Sequence, residues 1–193
     1  PRTTNKILNY FLKSKGVSKK NIMEVYTPFG HSDYQTIVAD IKKFAAGKPT
    51  AVISTINGDS NVPFYKELGN QGLKAEDIPV IAFSVGEEEL RGIDTKPLVG
   101  HLAAWNYFMS VKTPENKAFI KKWNAYVKKH NLPGGSKRVT NDPMEATYIG
   151  IKMWAQAVQQ SGTTNINAVR QAIGGQTVQS PSGFKITMDK KNH

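Results

Sequence analysis

The side chains able to do chemistry sit mainly in three short runs. Asn57-Gly58-Asp59-Ser60-Asn61 sets a carboxylate, a hydroxyl and two amides around one glycine. With the free amides of a helix start, such a turn can hydrogen-bond a small polar molecule. The same residue types also make an ordinary helix cap. Ser84-Val85-Gly86-Glu87-Glu88-Glu89 offers three carboxylates in a row. They suit the positive end of a helix, or one of them can accept hydrogen bonds from a ligand's N–H groups. Trp105-Asn106-Tyr107-Phe108 brings three aromatic rings, which can stack on a planar ligand or pack at a joint.

Catalytic patterns are weaker. His31-Ser32-Asp33 crowds its groups into one turn, a poor geometry for a nucleophile–base–carboxylate relay. The four histidines, His31, His101, His130 and His193, show no metal-ligand spacing, and no Gly-rich phosphate loop occurs. No cofactor or metal is expected.

The elements that must position these runs follow from two periodicities. Residues 4–15 read as a helix stopped by Gly16, and Ile22–Tyr26 alternates like a strand. Ser32 with Gln35 forms a capping box ahead of the stripe Ile37, Val38, Ile41 and Phe44. Ala51–Ile56 and Pro79–Ser84 are apolar, β-branched runs of the kind that parallel strands covered on both faces require. Helices are predicted after each, to about Gln71 and over Gly86–Gly92, and a fourth strand over Leu98–Trp105. All three candidate runs therefore lie where strands end, the place where open α/β sheets bind ligands.

Beyond residue 105 the pattern becomes helical. Thr113-Pro114-Glu115 opens one helix, Asp142-Pro143 a second running to about Gln160, and Asn165–Ile173 a third. Thr177-Val178 and Phe184–Met188 flank a turn at Ser180–Gly183, which reads as a hairpin. The helix–strand alternation over 4–105 predicts an α/β layer with a mostly parallel sheet. It opens on a helix, so a first strand ahead of it is missing from the pattern. The helices of 113–175 have apolar stripes and no sheet of their own to cover, which suggests part of a larger protein.

Composition narrows the function classes. The 193 residues contain no cysteine, which excludes disulfides and thiolate metal sites within them. The net charge of +11 first suggests a nucleic acid partner, but residues 49–111 hold eight acids against four bases. The candidate runs lie in that acidic stretch. In Lys117–Lys129 the lysines fill positions between Phe119, Trp123 and Tyr126, as on a solvated helix with one buried stripe. No nucleic acid partner is expected, and no apolar run approaches the ~20 residues of a membrane helix.

Several runs together resemble the urea-transporter substrate-binding proteins, in the branched-chain amino acid and amide-binding branch of type I periplasmic binding proteins. They are Tyr26–Val38, Asn57–Asn61, Glu87–Gly92, Leu98–Phe108, Asp142–Ala146, Ser180–Gly183 and Met188-Asp189. The resemblance implies a fragment of a two-lobed protein that binds its ligand in the interlobe cleft, in the periplasm or anchored outside the membrane, and presents it to ABC permease subunits. Residues 1–107 would form most of the second lobe, without its opening strand. Residues 108–175 would be helices returning to the first lobe, whose sheet is absent, and 176–193 a hairpin of the second lobe. Urea would be bound through Asn57, Gly58, Asp59, Ser60, Ser84, Glu87, Trp105 and Tyr107, without catalysis. Short amides or branched-chain amino acids are the alternative ligands, and an amidohydrolase a remote one. Helix stripes left uncovered in the fragment, Phe119/Trp123/Tyr126 and Tyr148/Ile151/Ala155, are expected to cause self-association.

Overall fold

The computed structural model describes residues 2–193 as two compact units, Arg2–Trp105 and Asn106–His193. The first contains α1 (Arg2–Ser14), α2 (Gln35–Ala45), β1 (Val52–Ser54), α3 (Asn61–Asn70), β2 (Val80–Ala82), α4 (Glu87–Leu90) and β3 (Leu102–Ala103). The second contains α5 (Pro114–Lys129), α6 (Asp142–Ser161), α7 (Ile166–Ile173), β4 (Thr177–Gln179) and β5 (Lys185–Thr187).

In the first unit the strands pair in the order β1-β2-β3, all parallel, with Ile53 opposite Ile81 and Ala82 opposite Ala103. This is the α/β layer that the alternating periodicities predict. Its core is built by the apolar stripes of α2 and α3, including Val38, Ile41, Phe64 and Leu68, packed with Val80 and Ala82 of β2. Burying such side chains contributes about 1.5–3 kcal/mol each, which fixes both helices on the sheet.

Two local expectations fail here. Ile22–Tyr26 forms no strand, and Met23, Val25 and Tyr26 remain 39%, 48% and 41% exposed. Alternation marks a half-buried strand, but a strand also needs a neighbour, and none of the described residues supplies one. The capping box at Ser32 also fails: α2 begins at Gln35, whose N–H bonds the Asp33 carboxylate at 3.2 Å.

His101, just before β3, accepts the Val80 N–H through Nδ1 at 3.0 Å. That bond requires the neutral ring. Burial pushes the imidazole below its ordinary value, against a smaller opposing effect of a hydrogen bond with the Leu73 backbone. The unfolded chain therefore binds a proton that the fold resists. This contribution to stability is complete above the unfolded pKa of about 6.5 and is lost as pH falls below it. Between about pH 7.5 and pH 5, the guanidinium unfolding midpoint of the wild type should fall more than that of His101→Gln. Equal falls would assign the pH dependence elsewhere.

In the second unit, the Thr113 hydroxyl caps α5 by accepting the Asn116 N–H at 3.0 Å. The Asn141 amide oxygen, one residue before the predicted start, caps α6 through Met144 N–H at 3.1 Å. The hairpin forms as predicted, with Val178 opposite Ile186. Its apolar side, Val178, Ile186 and Met188, packs on Ile149 and Met153 of α6. The hairpin thus clusters with residues 106–175 here, whereas the resemblance would group it with 1–107. The α5 stripe is also rotated from expectation: Phe119 and Val127 are buried, while Tyr126 is 51% exposed.

Candidate functional site

Seven of the eight predicted ligand residues belong to the first unit; five lie in the turns that follow β1 and β2, and Glu87 opens α4. The chain leaves β1 through Gly58, whose φ of +64° is a left-handed conformation that a side chain would disfavour. It then enters α3 at Asn61. The Asn61 side chain is fully buried, and its amide nitrogen donates to the carbonyls of Ile56, Gly58 and Ser84, each at 3.2 Å. The first two belong to its own turn and the third to the turn after β2. One amide thus fixes both turns to each other. A second tie is the Ser84 hydroxyl, which donates to Asn57 Oδ1 at 2.7 Å.

Around this brace the polar groups divide their roles. Asp59 is exposed. Ser60 is 5% exposed, yet among the described residues its hydroxyl has no hydrogen-bond partner. Burying a hydroxyl without a partner costs about 1–3 kcal/mol, which singles Ser60 out among the candidate residues. Asn61 Oδ1 is in the same condition.

The three carboxylates that open α4 separate clearly. Glu89 accepts the Gly86 N–H at 2.9 Å, which tightens the start of α4, and Glu88 pairs with Arg91 at 2.7 Å. Glu87 is half-buried and takes part in neither bond. The Trp105 indole is also half-buried and packs on Gly86; a Cβ built there would come within 3.1 Å of the ring.

Tyr107 is placed differently. It belongs to the second unit and is 1% exposed, and its hydroxyl bonds Asn116 Oδ1 and Thr140 Oγ1, both at 2.7 Å. Of the two roles open to it from sequence, packing is the one this environment fits. Its backbone N–H and that of Asn106 are held by the Asp142 carboxylate at 3.1 and 2.8 Å.

Asn61 is the site residue that sequence reasoning passed over. As the last residue of a polar turn it reads as a cap, and only the proximity of the two turns reveals its reach to Ser84. Chemically, the first-unit cluster offers carboxylate acceptors, a buried hydroxyl and an aromatic face, an arrangement suited to holding a small polar molecule. Among the described residues no three His, Asp or Glu side chains gather as a metal site.

A family model described as a periplasmic binding protein domain matches residues 1–193. An amino acid ABC transporter substrate-binding protein from Pseudomonas fluorescens Pf-5 shares the fold, with a TM-score of 0.72 and 19% identity over 96% of this chain and 46% of that one. A solute-binding protein of an ABC transporter from R. palustris, solved with 4-hydroxybenzoate, gives a TM-score of 0.63 and 21% identity over 86% and 43%. A limonene hydroxylase from Geobacillus stearothermophilus is 30% identical over 99 residues, which make up 51% of this chain and 17% of that protein. The chain spans less than half the length of each of these proteins.

Proposed function

The chain belongs to the periplasmic binding protein domain family, and from that premise we propose that it is part of the extracytoplasmic solute-binding component of an ABC transporter whose ligand is urea. The observation that carries this reading is the braced pair of turns holding the Ser60 hydroxyl buried and without a partner among the described residues. Urea is small, planar and neutral, with four N–H donors and one carbonyl acceptor. Asp59 and Glu87 supply acceptors, Ser60 supplies a donor to the carbonyl, and Trp105 covers a face. Each pairing left unmade would cost about 1–3 kcal/mol, which gives such a site its selectivity. Short amides share part of this pattern and are the nearest competitors. An amino acid would need further charged partners for its ammonium and carboxylate. The bound form would be delivered to permease subunits by closure of the two lobes.

The test is calorimetric titration of the protein with both lobes present, using urea, acetamide, leucine and 4-hydroxybenzoate in parallel. Urea should bind tightest and be recovered unchanged. Ser60→Ala and Glu87→Gln should each weaken urea about 10-fold or more. If leucine or 4-hydroxybenzoate binds tighter, the urea assignment is wrong.

The 193-residue chain by itself should self-associate. Ile151 and Trp154 of α6 are 61% and 47% exposed, and contiguous apolar surface of this kind promotes association. Sedimentation should show species above monomer mass at tens of micromolar, returning to monomer in Ile151→Lys/Trp154→Lys. A wild-type monomer throughout would refute this.

A further inference from the structure

We propose that the lysine face of α5 docks the protein on the anionic headgroups of a phospholipid membrane; this rests on the extracytoplasmic reading above and not on the identity of the ligand. Residues 106–193 hold thirteen lysines and arginines against four acids. Two of those acids, Asp142 and Glu145, are buried and accept backbone N–H groups, so they do little to neutralise the surface. Among the described residues of this unit, no lysine or arginine pairs with a carboxylate. Five of the thirteen lie on α5. At 3.6 residues per turn, Lys117, Lys121 and Lys128 fall in one row about 16 Å long, with Lys122 and Lys129 in the next. All five are exposed, and their rows lie opposite Asn116, Phe119 and Val127, the residues that α5 buries.

Local helix energetics does not account for this placement. Lys117 stands in the first turn, where the helix dipole disfavours a cation, and Lys117 and Lys121 repel each other one turn apart. A local rule broken without a local gain is expected where a surface has a function. Lysine is rarely buried without a partner charge, so this face is suited to the surface of the longer protein as well.

The chemistry of the face selects a lipid surface over a nucleic acid. Its charge is lysine, whose long stems let the ammonium groups reach a plane of headgroups. Arginine, the usual reader of base edges, is engaged where it is nearest: Arg138 lies 5.7 Å from the Trp123 ring and donates to the Pro133 carbonyl at 3.0 Å. Tyr126, 51% exposed, borders the lysine rows and stacks on Trp123 with ring centres 6.1 Å apart. Tyrosine and tryptophan favour the boundary between lipid and water. Lys122 and Lys152 approach the Tyr148 ring to 6.0 and 5.2 Å, which carries the basic surface onto α6. Held this way, a solute-binding protein would search for its permease across a membrane plane instead of through a volume.

The test is flotation of the protein with both lobes present, and without attached lipid, on two kinds of vesicle. One is an equal mixture of phosphatidylglycerol and phosphatidylcholine, the other phosphatidylcholine alone. The protein should float with the anionic vesicles at about 50 mM NaCl and be released at about 500 mM, and it should not float with the neutral ones. Lys117→Glu/Lys121→Glu/Lys128→Glu should weaken that binding about 100-fold or more, with the guanidinium midpoint held as the check on folding. Lys43→Glu/Lys66→Glu/Lys74→Glu makes the same change in net charge on exposed residues of the first unit and should bind as the wild type does. Absence of wild-type binding at low salt, or equal losses in the two triple variants, would overturn the proposal. Tighter binding to a DNA oligonucleotide than to anionic vesicles at the same salt would overturn it in favour of a nucleic acid. No urea is needed for flotation, so a failed urea assignment leaves this result readable.

Discussion

Asn61→Ala should lower the unfolding free energy by about 2–4 kcal/mol and abolish tight ligand binding together with it. The side chain is fully buried and is the donor to three carbonyls drawn from two turns. Alanine leaves those oxygens without their donor in a buried place. The mutation acts on function through geometry, since Asn61 sets the separation of the turn that carries Ser60 from the one that carries Glu87. Unfolding should be followed in guanidinium, because urea is the proposed ligand. Ser84→Ala serves as the comparison: it removes only the bond to Asn57 and should cost about 0.5–1.5 kcal/mol. If Asn61→Ala costs no more than Ser84→Ala, the brace is not what fixes the two turns.

The second large effect is expected at Asp142, 9% exposed at the first position of α6. Its carboxylate accepts the backbone N–H groups of Asn106 and Tyr107 and sits at the positive end of a 20-residue helix. Asp142→Ala strands the buried Tyr107 N–H and the part-buried Asn106 N–H and removes the favourable charge, a loss of about 2–4 kcal/mol. Asp142→Asn keeps the shape and one acceptor oxygen, so it should lose roughly half as much. Guanidinium midpoints of the two variants separate the carboxylate's charge from its hydrogen bonding and shape. Equal losses would mean that the carboxylate's charge carries the whole effect.

What could be read in the sequence depended on whether the determining interaction was local. The cap at Thr113, the hairpin around Ser180–Gly183 and the strands near 52–54 and 80–82 are set by residues within a few positions of one another, although only the second strand is covered on both faces and Ile53 of the first is 37% exposed. The strand expected at 22–26 depends on a distant partner, and alternation cannot tell whether that partner is present. On α5, 3.6-residue spacing predicts a stripe but not which side of it faces the core, so Tyr126 emerged on the exposed side. In the candidate site, the turns were legible because strand ends are recognisable. Asn61's reach across to Ser84 was not, because it spans 23 positions. The three glutamates looked equivalent in sequence, and only the bonds to Gly86 and Arg91 distinguish them.

The contact of Trp105 with Gly86 has a consequence for how ligand preference can drift over evolutionary time. The ring rests where any side chain at position 86 would have to be, 3.1 Å from the nearest ring carbon. Even a methyl group there would displace the indole by some tenths of an ångström, although residue 86 itself presents only backbone. The width of the proposed site would therefore be encoded partly at a residue with no functional group. If the proposed site holds, descendants of this sequence could acquire new cargo while every hydrogen-bonding residue stays unchanged, and a comparison restricted to polar contacts would miss the substitution responsible.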